Sequence, residues 1–459
     1  MQSVLIVGGG ISGLSAAYYL NRAGVPATLV ESQPRLGGVI RTEIADGCVI
    51  EAGPDSFLSA KPAALHLIRE LGLEDEVIGS NDHLRRTYIR KRGRLIPLPD
   101  GLMFMAPTRL APMAFTPLLS WTTKLRMAAE YFRKPSAASP TDRSVADFIR
   151  DHYGQEAVDY LTEPLLAGVY GGDPERLSVS SVLPRFSEFE SRYGSLTRGA
   201  LAARRAMTSS GSGSLFRTLK NGLGDIIAAL ELAIRPATTV VHGSVETVEP
   251  SSSGFRARAG GRWIEAAHVV LACPAWRTSH LTVGTDPELS HLLAGIEYSS
   301  SMTVALVYDK AALNHPQNGF GFLVPRKERG CIVACTWVGT KFSHRVPDNR
   351  ALLRCFLGGS SDEEVLNWPD ESVIRTVRAE LAQIMGVQAE PLFTRIARWP
   401  RSMAQYTVGH QARMERVRER LGRLPGLHLA GNAYDGIGIP DCIRSGKEAA
   451  ERIARAVAT

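Results

Sequence analysis

The residues best suited to do chemistry stand at the start of the chain. Gly8-Gly9-Gly10-Ile11-Ser12-Gly13 follows the apolar run SVLIV at 3–7 and precedes LSAAYYLNRAG, which reads as a helix ending at Gly24. PATLVE then reads as a second strand ending on Glu31. Strand, G-x-G-x-x-G, helix, strand and acid is the order a dinucleotide site requires. Gly8 permits the tight turn, Gly10 lets the backbone approach a pyrophosphate, and Gly13 lets the helix pack closely on the strand. The helix N-terminus carries about half a positive charge, which suits phosphate. Glu31 is placed to accept hydrogen bonds from ribose hydroxyls.

That fingerprint does not separate a nicotinamide from a flavin dinucleotide, but its continuation does. Ser32 follows the acid, and Pro34-Arg35-Leu36-Gly37-Gly38-Val39-Ile40-Arg41 follows in turn. A second glycine pair and an arginine so close to the ribose acid suggest a loop folding back over the cofactor. Arg41 is a candidate contact for a phosphate or for the flavin edge. A Gly-Pro turn comes next, in Glu51-Ala52-Gly53-Pro54-Asp55-Ser56-Phe57. Its backbone N–H groups are candidates to lie near a flat ring.

Several elements must position these loops. Residues 62–73 read as an amphipathic helix, and LRRTYIRKRGRLIPL at 84–98 as a basic hairpin. The apolar stretch 102–121 is interrupted by Pro107, Pro112, Pro117 and Arg109, so it is too broken to span a bilayer. It either lies in a membrane surface, lines an apolar tunnel, or is a packed proline-rich segment. Residues 122–233 read as largely helical, with KLRMAAEYF, SVADFIRDHY and EAVDYLTEPLLAGVY the clearest pieces. TSSGSGS at 208–214 reads as a boundary, and 215–233 as loop plus helix. Strands are expected at 239–248, 254–265 and 268–272. The alternation over Ser301–Tyr308 predicts a half-buried strand. Further strands are expected at 320–325, 331–338, 351–357 and 391–399, with a helix at 371–386 and a last helix starting near Pro440. No internal repeat is evident.

Composition narrows the class. The chain has 459 residues, 44% hydrophobic and 22% charged, which excludes long disorder, collagen and a disulfide-stapled miniprotein. The formal charge of +7 favours anionic partners. No run of apolar residues is long enough for a spanning helix. A strand at Val4 and a glycine loop at Gly8 leave no room for a cleavable leader. The cysteines at 48, 273, 331, 335, 355 and 442 form no CxxC, and no histidine cluster completes a zinc pattern. Cys331 and Cys335 lie on one strand, about 13 Å apart, too far for a disulfide. Idle thiols fit a reducing cytosol, so a cytoplasmic location is expected. The pI gives the only hint of nucleic-acid binding, and no recognised module supports it.

The motifs GGGISGLSAAYYL, ESQPRLGGVIRT, EAGPDSFL, LLAGVYGGDPERLS, GFGFLVP and LAGNAYDGIGIPDCI occur in this order. Together they resemble the oxygen-dependent porphyrinogen oxidases of haem synthesis, which oxidise protoporphyrinogen or coproporphyrinogen III. The resemblance covers essentially the whole chain. It implies an α/β fold of the monoamine-oxidase type. A split Rossmann-like FAD domain would comprise 1–80, 211–280 and 395–459. A helical, membrane-facing domain would comprise 81–210, and an antiparallel-sheet substrate domain 281–394. It implies non-covalent FAD, held by Gly8–Gly13 (Gly8, Gly9, Gly10, Ile11, Ser12, Gly13), Glu31, Ser32, Gly38, Arg41, Gly53, Pro54, Asp55 and Ser56. Val245 matches the residue whose backbone holds the adenine. Trp399 matches an aromatic near the flavin, and Ile437, Gly438 and Ile439 the backbone at the flavin pyrimidine end. A helix starting after Pro440 would aim N–H dipoles at the end that becomes negative on reduction.

In that family the substrate cavity lies between the flavin and a sheet-plus-helix domain. Leu165 and Gly168 match on the helical side, and Phe320, Gly321, Leu323 and Phe356 on the sheet side. Apolar walls suit a flat macrocycle, although each residue also reads as plain core. The chain departs from the mitochondrial enzymes at Asp55, where they carry an arginine. Their propionate-binding arginine aligns only loosely near Arg86 and Thr87, and Lys61 is another cation for a propionate. The implied reaction removes six electrons from a porphyrinogen, with molecular oxygen as oxidant and hydrogen peroxide as product. No catalytic acid–base side chain is named and no metal is expected; His410 and His428 read as structural. A homodimer and peripheral membrane contact stay open. Rivals are a flavin amine oxidase or carotenoid desaturase of the same fold, and a non-catalytic escort or prenyl-binding module.

Overall fold

Four consecutive apolar residues, Val4–Val7, are all buried. Such a run suits the interior of a parallel sheet covered on both faces. The structure, a computed structural model that describes residues 3–135, 142–207 and 214–458, places this strand at the centre of a five-stranded sheet. The order is Thr238–His242, Ala27–Glu31, Val4–Val7, His268–Leu271, Leu427–Leu429, and every pairing is parallel. The chain forms two compact units. The first, Met1–Ser80, Ser214–Glu297 and Ala412–Thr459, contains this sheet. The second is Asn81–Gly213 and Tyr298–Gln411. The boundary read at 208–214 lies, Ser214 apart, outside the described residues.

In the first unit the sheet packs against the helices Ile11–Arg22, Ala63–Glu70, Gly224–Ile234 and Ile439–Ala458 through one apolar core that includes Leu14, Leu29, Ile68, Leu230 and Ile443. The first and last helices approach so closely that a Cβ at Gly446 would stand 2.2 Å from the Ser12 carbonyl oxygen. Three expected elements are corrected here. Residues 254–265 are two strands, Gly254–Ala259 and Arg262–Ala266, because Gly260 and Gly261 (φ 54° and 74°) form a tight hairpin turn. Residues 239–248 also divide, into a parallel edge strand and the first strand of that small meander. Phe216–Leu219 is a strand between Phe57–Leu58 and Val77–Gly79, where a loop was expected.

The second unit is built on a seven-stranded sheet. Its order is Phe393–Gln405, Glu297–Asp309, Arg350–Gly358, Ile332–Trp337, Gly321–Leu323, Thr87–Lys91, Arg94–Pro97. One face, carrying Val304, Cys355, Cys335 and Phe322, packs on the helix Asp370–Met385 through Val373, Val377 and Leu381. The helix Glu163–Tyr170 lies against strands of the same sheet. Met302–Tyr308 belongs to an interior strand of this sheet and is buried without a break, not half-buried as the alternation predicts. Thr303, Ala305 and Val307 on the second face are buried too. The expected basic hairpin forms, turning at Arg92-Gly93 (φ 52° and 71°). Its Lys91 points to Glu156, at 2.8 Å.

Among the helices of this unit, His152 joins three elements. Its Nδ1 lies 2.9 Å from Glu130 and its Nε2 3.1 Å from Glu190, with the histidine and Glu130 side chains both essentially buried. Stretch 102–121 forms one short strand pair, Leu102–Met103 with Ala106–Pro107, and the helix Leu110–Phe115. It leaves Leu110, Phe115 and Trp121 exposed. Among the described residues no helix is long and apolar enough to cross a membrane.

Candidate functional site

The three fingerprint glycines of the first unit differ in what surrounds them. Gly8 has φ 107°, and a Cβ there would stand 2.7 Å from the Ala272 carbonyl oxygen. A Cβ at Gly13 would stand 1.9 Å from the Gly8 carbonyl oxygen, so only glycine lets the helix close on its own loop. At Gly10 a Cβ would meet nothing within 4 Å. Gly10 is the N-cap of Ile11–Arg22, no side chain caps that helix, and its first turn carries no acid. Its leading N–H groups thus border an open space that a diphosphate can fill. This pairing of open space and anion-seeking donors fits a dinucleotide.

Glu31 closes the loop from beneath. Its carboxylate, almost wholly buried, accepts the Gly9 N–H at 2.6 Å, the Gln33 N–H at 2.7 Å and the Ser32 hydroxyl at 3.2 Å. The sequence assigned Glu31 to a ribose; the structure adds that it anchors the glycine loop. Four lone-pair sites leave room for both duties. The second loop does fold back. The Gly37 N–H donates to the Gly9 carbonyl at 2.8 Å, and a Cβ on Gly38 would lie 3.2 Å from the Gly10 Cα. Arg35, which sequence reasoning passed over, laces this loop by donating to the carbonyls of Leu36 and Ile40 at 3.0 Å and of Gly38. Arg41 is exposed, and its carbonyl accepts the Ala52 N–H at 2.9 Å. The Gly53-Pro54-Asp55-Ser56 turn packs on the second loop, since a Cβ at Gly53 would be 1.9 Å from the Val39 carbonyl oxygen. The Ser56 hydroxyl donates to Asp55 at 2.7 Å.

Val245 opens the strand Val245–Ser251 and pairs with Ala259 in the small meander. The Gly243 N–H donates to the Glu31 carbonyl at 2.8 Å, which sets this segment beside the acid. The Val245 carbonyl accepts from Arg277 at 2.5 Å, a partner the sequence did not suggest. Ile437, Gly438 and Ile439 lead into the last helix, which begins at Ile439. Lys61, read as a cation for a propionate, stands 2.5 Å from Asp441, in the first turn of that helix. Burial pushes the Cys442 thiol up to about 12 and the Cys273 thiol to about 11. Neither is a ready nucleophile for covalent attachment.

The second unit gathers three of the expected substrate residues, Gly321, Leu323 and Phe356, on one sheet face. Leu323, Ala334, Phe356 and Thr303 pair across successive strands, and Gly321, Thr336, Arg354 and Ala305 form the next row. Residues paired across strands share a face, opposite the one that packs on Asp370–Met385. A Cβ at Gly168 would stand 3.1 Å from Leu323 Cδ2, so helix and sheet make one continuous wall there. Leu165 is half-buried on the same helix. Phe320 is buried, and its N–H donates to the Arg86 carbonyl at 2.8 Å. The Arg86 side chain is exposed. Trp399 is half-buried on Phe393–Gln405. Sequence reasoning missed Arg354. It is only 3% exposed and lies 4.6 Å above the Phe356 ring. The signal was its two-residue offset from Phe356 on a strand.

The fold and the loops define a flavoprotein oxidoreductase: residues 11–454 match the flavin-containing amine oxidoreductase family, and the chain belongs to it. Its cofactor is a flavin and its fold the α/β type of monoamine-oxidase-like enzymes. Within that family it is 34% identical to the coproporphyrinogen III oxidase of Bacillus subtilis, over 98% of this chain and 97% of the relative. It is 27% identical to protoporphyrinogen oxidase 2 of Arabidopsis thaliana, over 98% and 94%. The crystal structure of a provisionally named protoporphyrinogen oxidase from Exiguobacterium sp. 255-15 superposes with a TM-score of 0.88 at 32% identity, covering 99% of both chains.

Proposed function

We propose that this protein is a porphyrinogen oxidase that uses non-covalent FAD and molecular oxygen to convert coproporphyrinogen III, in preference to protoporphyrinogen IX, to the porphyrin. The observation that carries the reading is its 34% identity to a coproporphyrinogen III oxidase across nearly the whole of both chains. The balance is one porphyrinogen and three oxygen molecules to one porphyrin and three hydrogen peroxides. A flavin supplies the chemistry by accepting electron pairs with hydrogen and passing them to oxygen. The protein's own part is to bind, orient and exclude water. In the first unit the helix N-terminus at Ile11–Gly13 takes the diphosphate. Glu31 and Ser32 take the ribose, Val245 the adenine, and Gly38, Arg41 and the Gly53–Ser56 turn the flavin half. The Ile437–Ile439 turn faces its pyrimidine end.

In the second unit Leu323, Phe356, Gly321 and Gly168 supply an apolar wall for a macrocycle. Phe320, Leu165 and Trp399 extend it, and Arg86 offers a cation to a propionate. Exposed Leu110, Phe115 and Trp121, with Lys124 over the Trp121 ring at 4.4 Å, support peripheral contact with a lipid surface. The deciding assay presents each porphyrinogen, prepared without oxygen, to the purified yellow protein and admits air. Porphyrin fluorescence is expected to rise faster than in buffer, and fastest with coproporphyrinogen. Fully bound FAD with no response to either substrate overturns the reading. Acid precipitation should release all flavin to the supernatant; flavin retained in the pellet contradicts the non-covalent assignment.

A further inference from the structure

One ion pair in the first unit joins residues from opposite ends of the chain. Lys61 Nζ stands 2.5 Å from Asp441 Oδ2, with the lysine side chain 49% exposed and the aspartate 8%. The same oxygen accepts the Gly438 N–H at 3.2 Å. The Gly438 carbonyl accepts the Cys442 N–H at 3.0 Å, so Gly438 is the N-cap of the last helix and Asp441 its third residue. A third-residue carboxylate reaching back to the N-cap N–H is one half of a capping box. Gly436 (φ 126°) makes room for it: a Cβ there would be 2.4 Å from Asp441 Cγ. Arg444 is a second cation, yet it lies 3.9 Å from Asp441 Oδ1. It also bonds Glu448 at 3.0 Å and the Asp435 carbonyl at 2.8 Å. Asp441 therefore shapes the Gly436–Ile439 turn and sets a negative charge at a helix N-terminus. Lys61 offsets that charge.

We propose that Lys61 acts through Asp441 as a positioning residue: it holds the Ile437–Ile439 turn in shape and sets the electrostatic field at the flavin end assigned to that turn, and it does not bind a substrate carboxylate. This rests on the flavin placement above. A nearly buried carboxylate left without its cation is costly. Its field opposes any neighbour that gains negative charge on reduction. Loss of the lysine charge makes the bound flavin harder to reduce, and loss of the aspartate charge makes it easier. A lysine serving the substrate would instead leave the flavin unchanged and weaken substrate binding.

The test uses the full-length flavoprotein with Lys61→Met, Lys61→Arg, Asp441→Asn and the double variant Lys61→Met/Asp441→Asn. The readouts are the midpoint potential of the bound flavin by anaerobic dye equilibration, the FAD dissociation constant on reconstituting apoprotein, and KM for the porphyrinogen. Lys61→Met should lower the equilibrium constant for two-electron reduction about tenfold, or about 30 mV. Lys61→Arg should restore it, Asp441→Asn should shift it the other way, and the double variant should return towards wild type. An unchanged potential overturns the proposal, whether KM rises or stays constant. If Asp441→Asn does not fold, Lys61→Met at a half-exposed position still reads the same quantity. Wild-type protein that takes up no FAD would overturn the flavin placement itself, an outcome separate from failure of the pair.

Discussion

In the first unit the working surface is backbone; in the second it is side chains. The glycine loops approach within contact of one another because Gly8, Gly13, Gly38 and Gly53 have no Cβ. They present N–H groups to an open space at Gly10. The sheet of the second unit presents Leu323, Phe356 and Arg354 in register across strands that are far apart in the chain. A backbone site needs specific residues at fixed short spacing. A side-chain wall needs only the right residue on the right face.

The largest expected effect comes from attacking the backbone site. Gly13→Asp forces a Cβ into the Gly8 carbonyl and adds negative charge beside a diphosphate. It should weaken FAD binding on the order of 100-fold or more, read by flavin content after purification. Unchanged occupancy would break the comparison. Gly10→Ala meets no protein atom, so the fold should survive while FAD binding weakens about tenfold. An equal loss of thermal stability in both variants would show that Gly10 serves packing only.

The wall should respond the other way. Phe356→Ala should lower porphyrinogen kcat/KM about 10- to 100-fold, with flavin content and potential unchanged. Loss of flavin in that variant would mean the wall and the cradle are not separate devices.

The smallest effects sharpen the contrast through pH. In the first unit, burial chiefly, then the charges of Arg452 and His268, depress His428 to about 4. Its contribution to stability is complete above about 6.5 and is lost as pH falls towards 4. In the second unit, burial opposes the charge on His152, but hydrogen bonds to Glu130 and Glu190 outweigh it and raise its pKa. That contribution is complete below about 6.5 and is lost as pH rises through the raised value. Urea melts across pH should lose the acid-side decline in His428→Leu and the alkaline-side decline in His152→Gln. Identical pH profiles for wild type and both variants would contradict the assignment.

How much was legible follows from the same contrast. The cradle could be read from Gly8, Gly10, Gly13, Glu31 and Gly38, because each role is set by local geometry. Arg35 and Arg277 could not, since their partners are carbonyls that only the folded loops bring near. Arg354 escaped because its value depends on sharing a face with Phe356. The unbroken burial of Met302–Tyr308 escaped because alternation reports residue type, not whether the polar face is covered in the folded chain. Lys61 was read as a lone cation, and only folding showed it beside a carboxylate from the last helix.

The sequence alone determined the glycine loops of the first unit and the strand and helix that flank them, because steric limits on φ and on close approach act within a few residues of the chain. Tertiary structure alone decided which cation meets which carboxylate and which side chains share a wall. Those partners are fixed by sheet register and helix packing, which bring together residues hundreds of positions apart.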